Sequence, residues 1–205
     1  MEELNKIFIQ IKEMGILALQ MWEITFSAFM EHNPELFQEV TERENKINEL
    51  EKKLIEELID LGKITKDKEK KKIIMSYMEI IGDIEIIGDY CKDVLERIEI
   101  KVAEKLLFSE DAVNEYKDLY YKTHNVLERT ISAFDQRQID FLREIIKECQ
   151  DNEVLAERYR EHHEQRLLDG ICSPFAGNMF LNMIDFTSAI NSHIRKIAER
   201  LVGLR

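Results

Sequence analysis

The sequence predicts an all-α protein made of two pseudo-repeated antiparallel three-helix bundles, six long helices in all, and three observations carry that prediction. Apolar residues recur at spacings of three and four, as in Tyr77, Ile80, Ile81, Ile84, Ile87, Cys91, Val94, Leu95 and Ile98, which makes one face of a helix. The 205 residues contain only 7 Gly and 2 Pro, too few to turn the hairpins of a sheet. Finally, the stretch Ile80–Glu96 returns 103 positions later as Met183–Glu199, with Ile81 matched by Ile184, Ile87 by Ile190, and Glu96-Arg97 by Glu199-Arg200. Two halves, 1–107 and 108–205, follow from that offset.

The first helix spans about Glu3 to Glu31, with Phe8, Ile11, Leu17, Met21, Ile24 and Ala28 near one face. Asn33-Pro34 supplies a cap and a first-turn proline for the second, which runs to about Leu61 with Gly62 as its C-cap. Its stripe is Leu36, Phe37, Val40, Ile47, Leu50, Leu54, Leu58 and Leu61. Glu44 and Glu51 fall inside that stripe, roughly 20–40° from its axis at 3.6 residues per turn. A buried carboxylate without a partner is costly, so both are expected at a bundle edge beside Lys46 and Lys52.

The run Lys66–Lys72 reads as the solvated start of the third helix, which continues to about Leu107. Gly82 and Gly88 lie in its interior, where each costs about 1 kcal/mol relative to Ala, so each is expected to mark close packing. Ser109 caps the fourth helix, with Glu110 and Asp111 in the first turn where acids favour the helix dipole; it ends near Asp135. The fifth covers about Arg137 to Leu168 and stops at Gly170. Ser173-Pro174 then starts the sixth, which runs to about Leu201.

Composition excludes several classes of function. A net charge of −12 opposes binding to nucleic acid or to an anionic lipid surface. Cys91, Cys149 and Cys172 are odd in number and form no CxxC, which fits free thiols in a reducing, cytoplasmic setting. The charged start, Glu2, Glu3, Lys6, Lys12 and Glu13, is unlike a secretory signal. The longest uncharged run, Ile171–Ile184, is 14 residues, too short for the ~20 that span a bilayer, so no membrane insertion is expected.

The chemistry resides in Glu85 and Asp89, one turn apart beside the apolar face of the third helix. Like charges at i, i+4 cost a helix roughly 0.2–0.5 kcal/mol unless something neutralises them. In the repeat the pair becomes Ser188 and Ser192. Di-metal redox bundles use Glu-x-x-His, and here Phe29, Tyr121, Tyr159, Arg160 and Ile190 stand three before the five histidines. No HExxH, phosphate loop, GxSxG or Cys–His nucleophile pattern occurs, so no enzyme is expected. His162-His163 sits in a charged run and reads as solvated, and His193 as an interhelical hydrogen-bonding residue.

With both repeats in view, the chain resembles the PhoU family of phosphate-uptake regulators. Asp83-Ile-Glu-Ile-Ile-Gly-Asp89, followed by Tyr90 to Glu96, is similar to that family's D-L-E-R-I-G-D stretch. Gly170-Ile-Cys-Ser-Pro-Phe-Ala-Gly177 looks like the PhoU-type domain attached to sodium/phosphate cotransporters. The resemblance implies a metal cluster on an E(D)-x-x-x-D motif carried by two helices of one half. Transferred residue by residue, the set is Glu44 and Asn48 on the second helix with Glu85 and Asp89 on the third. If a metal ion (iron, zinc, magnesium or manganese) is bound, it is expected in the first half, with Asn48 a weak donor; the alternative is that Asp89 pairs with Lys92 and Glu85 is solvated at the edge of the stripe. The resemblance further implies a non-enzymatic regulator that binds a phosphate transporter or its sensor kinase at the cytoplasmic membrane face, and a homodimer. A metal-binding bundle of enzyme or storage type, or a helical adaptor unrelated to phosphate, are the alternatives.

Overall fold

The computed structural model of the chain describes residues 2–31, 35–136 and 138–204. Its six helices are α1 Glu2–Glu31, α2 Glu35–Ile64, α3 Lys68–Ala103, α4 Glu110–Gln136, α5 Ile139–Leu168 and α6 Pro174–Gly203, and there is no strand among the described residues. The all-α prediction holds. The proposed cap at Asn33-Pro34 and the start at Arg137 lie outside the described residues.

Local chemistry accounts for most helix ends. Asp67 caps α3 by accepting from the backbone N–H of Glu69 and Lys70, so the lysine run is a solvated first turn. Ser109 and Ser173 accept from the N–H of Ala112 and Ala176 at the starts of α4 and α6. Two ends differ from expectation. Gly62 does not stop α2: it stays helical, Thr65 N–H bonds Leu61 O at 3.1 Å, and the helix runs to Ile64. α3 stops at Ala103 instead of Leu107 because Lys105 turns left-handed (φ 52°) and Leu106 N–H reaches back to Lys101 O. The same six-to-one closure ends α5, where Gly170 takes φ 71° and Ile171 N–H bonds Arg166 O.

Helices α1, α2 and α3 pack on one another, and so do α4, α5 and α6. Two seams join the triplets, α3 against α6 and α1 against α4, while α2 and α5 each touch only their own triplet. The α1–α4 seam is aromatic: Phe8 meets Phe134, Trp22 meets Tyr120 and Phe29 meets Tyr116 at centroid distances of 5.0, 5.2 and 4.8 Å. Burying rings of this size supplies much of the driving force for joining the halves. The α3–α6 seam carries the signature of the repeat. Asp83 pairs with His193, and Tyr90 packs on Phe186. Position 186 is the repeat equivalent of 83, and 193 of 90, so the two contacts are related by a pseudo-two-fold axis, as in an isologous interface.

Asp83 is the polar centre of that seam. It is 6% exposed and accepts from His193 Nδ1 at 2.7 Å and from the Arg200 guanidinium, which also reaches Glu79. His193 is thus an interhelical hydrogen-bonding residue, as expected. His163 is not the solvated residue its neighbours imply: it is 1% exposed and stacks on Phe180 at 4.4 Å. Burial, with the Arg166 charge beside it, pushes its pKa down to about 4. A polar ladder crosses the second triplet, where Asn152 Nδ2 donates to Asn191 Oδ1 at 3.0 Å and Asn191 Nδ2 donates to Thr123 Oγ1 at 2.6 Å.

Candidate functional site

The four residues singled out from the sequence meet along the α2–α3 seam. Gly88 brings the helices close there: a Cβ on it would lie 3.2 Å from Ile47 Cδ1. Gly82 has open space instead, so the expectation of close packing holds for only one of the two glycines. The close approach turns Glu44 inward from the stripe of α2, where it is buried. Lys46 and Lys52 do not rescue it, contrary to expectation. Its partners are Asn48, whose Nδ2 donates at 3.0 Å, and Lys92 of α3, whose Nζ lies 3.4 Å away.

Glu85 and Asp89 stand across the seam and hydrogen-bond each other, which requires a proton on one of them. Burial, then the charges of Asp89, Glu51 and Glu44, push the Glu85 pKa up to about 7. Asp89 is raised as well, first by burial and then by Glu44, with Lys92 opposing. Asp93, one turn further on, is raised by burial and by Glu96 and Asp89. The seam therefore holds more negative charge than Lys92 offsets. Sequence reasoning named Glu51 but missed its part in this field, and it passed over Asp93, whose i+4 spacing from Asp89 was the available signal.

The donor set suits a hard, oxygen-preferring cation: three carboxylates and one amide oxygen. Asn48 Oδ1 is buried and has no hydrogen-bond partner, as an acceptor awaiting a cation would be. In the present arrangement, however, no three His, Cys, Asp or Glu side chains among the described residues are grouped to hold one ion. Glu44 is engaged by Asn48 and Lys92 instead.

The second half is arranged differently. Ser188 and Ser192, both half-buried, stand without charge at the repeat positions of Glu85 and Asp89. The repeat equivalent of Lys92 is Arg195, whose Nε lies 3.1 Å from Glu153 of α5 and whose Nη1 lies 3.1 Å from Glu199. Arg195 thus pairs with a glutamate of α5 as Lys92 pairs with Glu44 of α2.

Two triplets of antiparallel helices, joined by a pseudo-two-fold seam and bearing acids between the second and third helices, define a duplicated three-helix-bundle protein. The family model of the PhoU domain matches residues 11–98, so that stretch of the chain carries a PhoU domain. The crystal structure of PhoU from Pseudomonas aeruginosa is similar to it at a TM-score of 0.92 and 18% identity, covering 99% of this chain and 97% of that one. The phosphate transport system regulatory protein PhoU from Streptococcus pneumoniae is similar at a TM-score of 0.87 and 18% identity, covering 98% and 94%. At that identity the likeness is one of fold. No curated protein matches the chain.

Proposed function

We propose that the chain is a non-enzymatic regulator of phosphate transport that binds a phosphate transporter or its sensor kinase from the cytoplasmic side of the membrane. The observation that supports it most is the PhoU domain at residues 11–98 within a PhoU fold that covers the whole chain. The physical setting is compatible. No helix among the described residues is long and apolar enough to cross a membrane. Cytoplasmic loops of membrane proteins carry excess Lys and Arg, and a protein of net charge −12 is steered toward them. The thiols of Cys91 and Cys149 are buried, and burial pushes the Cys149 pKa up to about 12, which makes a poor nucleophile.

The test pairs a pull-down from membranes of the source cell, at low and high salt, with phosphate uptake in a deletion strain. Recovery of a transporter or kinase at low salt, weakening once the Debye length falls below about 8 Å, is the expected result. Unchanged uptake together with recovery of neither would remove the assignment and favour a helical adaptor unrelated to phosphate.

A second reading is motivated by the orphaned Asn48 Oδ1 and the uncompensated charge around Glu85. A hard metal ion, iron, zinc, magnesium or manganese, would be held in the first half by Glu44, Glu85 and Asp89 with Asn48 as a weak donor. Such an ion would neutralise the seam and clamp α2 to α3. Titration calorimetry of Glu85→Ala with Asp89→Ala against Ser188→Ala with Ser192→Ala ranks the halves; heat lost only in the serine pair would reverse the assignment.

A further inference from the structure

We propose that Lys92 is a tethered competitor for the cation site of the first half: its ammonium group holds Glu44 in place of a metal ion, and divalent ions bind this seam only by displacing it. The inference rests on the metal reading just given and adds what controls occupancy.

Two independent observations support it. The first is the geometry of the seam. Lys92 lies 3.4 Å from the same Glu44 Oε1 that accepts from Asn48, so one oxygen of the donor set is taken twice over. The Lys92 side chain is 40% exposed, whereas that of Glu44 is 10% exposed, so Lys92 can swing into water at small cost while Glu44 cannot. A lysine is suited to this because it is a flexible point charge with three donors and no fixed geometry.

The second observation is the repeat. The position equivalent to Lys92 is Arg195, and it too salt-bridges a glutamate of the preceding helix, Glu153. Both halves therefore carry a built-in cation at the same place in the same seam. The halves differ in what surrounds it. Around Arg195 the acids of the motif are replaced by Ser188 and Ser192, and the guanidinium holds both Glu153 and Glu199. Around Lys92 the acids remain: the one cation meets Glu44 and Asp89, and Glu85 lies beside them with no cation of its own acting on it. The second seam is thus permanently closed by an arginine, while the first is closed by a group that a divalent ion can outcompete.

The experiment is calorimetric titration of Mn2+ into wild type, Lys92→Met, Lys92→Arg and Arg195→Met, with thermal unfolding of each at matched Mn2+. Lys92→Met should bind Mn2+ about fivefold more tightly than wild type, the scale of the half-exposed ion pair with Glu44 that the ion otherwise has to break. Its unfolding temperature should rise with Mn2+ more than that of wild type. Lys92→Arg should bind Mn2+ more weakly than wild type, because the guanidinium holds its carboxylate in a fixed fork, and Arg195→Met should gain no site. Equal, measurable affinities in wild type and Lys92→Met would overturn the competition while leaving the metal reading intact. Absence of binding in both, with Lys92→Met folded by its melting transition, would overturn the two together.

Discussion

Replacing Asp83 by alanine tests whether the α3–α6 seam depends on one buried carboxylate. The side chain is 7% exposed and accepts from His193, 13% exposed, and from Arg200, 26% exposed. Truncation leaves an imidazole N–H and a guanidinium facing an apolar gap. Removing one partner of a buried pair costs about 3–5 kcal/mol. Arg200 retains Glu79 at 2.8 Å and is a quarter exposed, which places the expected loss at the low end, about 3 kcal/mol. For a chain of this length each kcal/mol moves the melting temperature by roughly 2–4 °C, so Asp83→Ala should melt about 6–12 °C lower. Asp83→Asn keeps an acceptor for one of the two donors and should lose about half as much. Urea unfolding of Asp83→Ala, Arg200→Met and the double variant measures the coupling, expected above about 1 kcal/mol. An Asp83→Ala variant within about 0.5 kcal/mol of wild type, or a coupling near zero, would refute the reasoning.

Gly82→Ala should stabilise the chain by about 1 kcal/mol in denaturant unfolding, because a mid-helix glycine with open space gains only helix propensity. Gly88→Ala should show no such gain, since its methyl displaces Ile47. Glu85 has a folded pKa near 7 against an unfolded value of 4.5, so its protonated form favours folding fully below pH 4.5 and that contribution is lost as pH rises through 7. Because the group is partly exposed the loss should be about 1 kcal/mol, and Glu85→Gln should flatten the difference between urea midpoints at pH 5 and 8. His163 has the opposite sign: its folded pKa near 4 means the unfolded chain takes up a proton below 6.5 while the folded chain does not. Stability should therefore fall by about 3 kcal/mol as pH drops from 6.5 to 4, and His163→Leu should remove that slope in acid titrations followed by circular dichroism.

Apolar periodicity, the serine and aspartate caps, and the 103-residue repeat were sufficient for six helices and their pairing into equivalent halves, because each depends on residues a few positions apart or on identity between two stretches. The motif on α3 was equally visible, and so was its loss at Ser188 and Ser192. What each acid does was decided only by tertiary approach. Asp83 and Asp89 open and close the same seven-residue motif, yet Asp83 points into the seam with α6 and meets Arg200, 117 positions away, while Asp89 stays on the seam with α2. Lys92 lies three positions after Asp89 and would pair with it on an isolated helix, but packing α2 against Gly88 presents Glu44 from 48 positions away. His163 was misplaced by its charged neighbours because one residue of a polar run can face the core at the helical period, and only Phe180 across the bundle shows that it does. Helix-forming preference is local and additive along the chain, whereas the choice of ion-pair partner is settled by which helices close on each other, and so appears only in the folded structure.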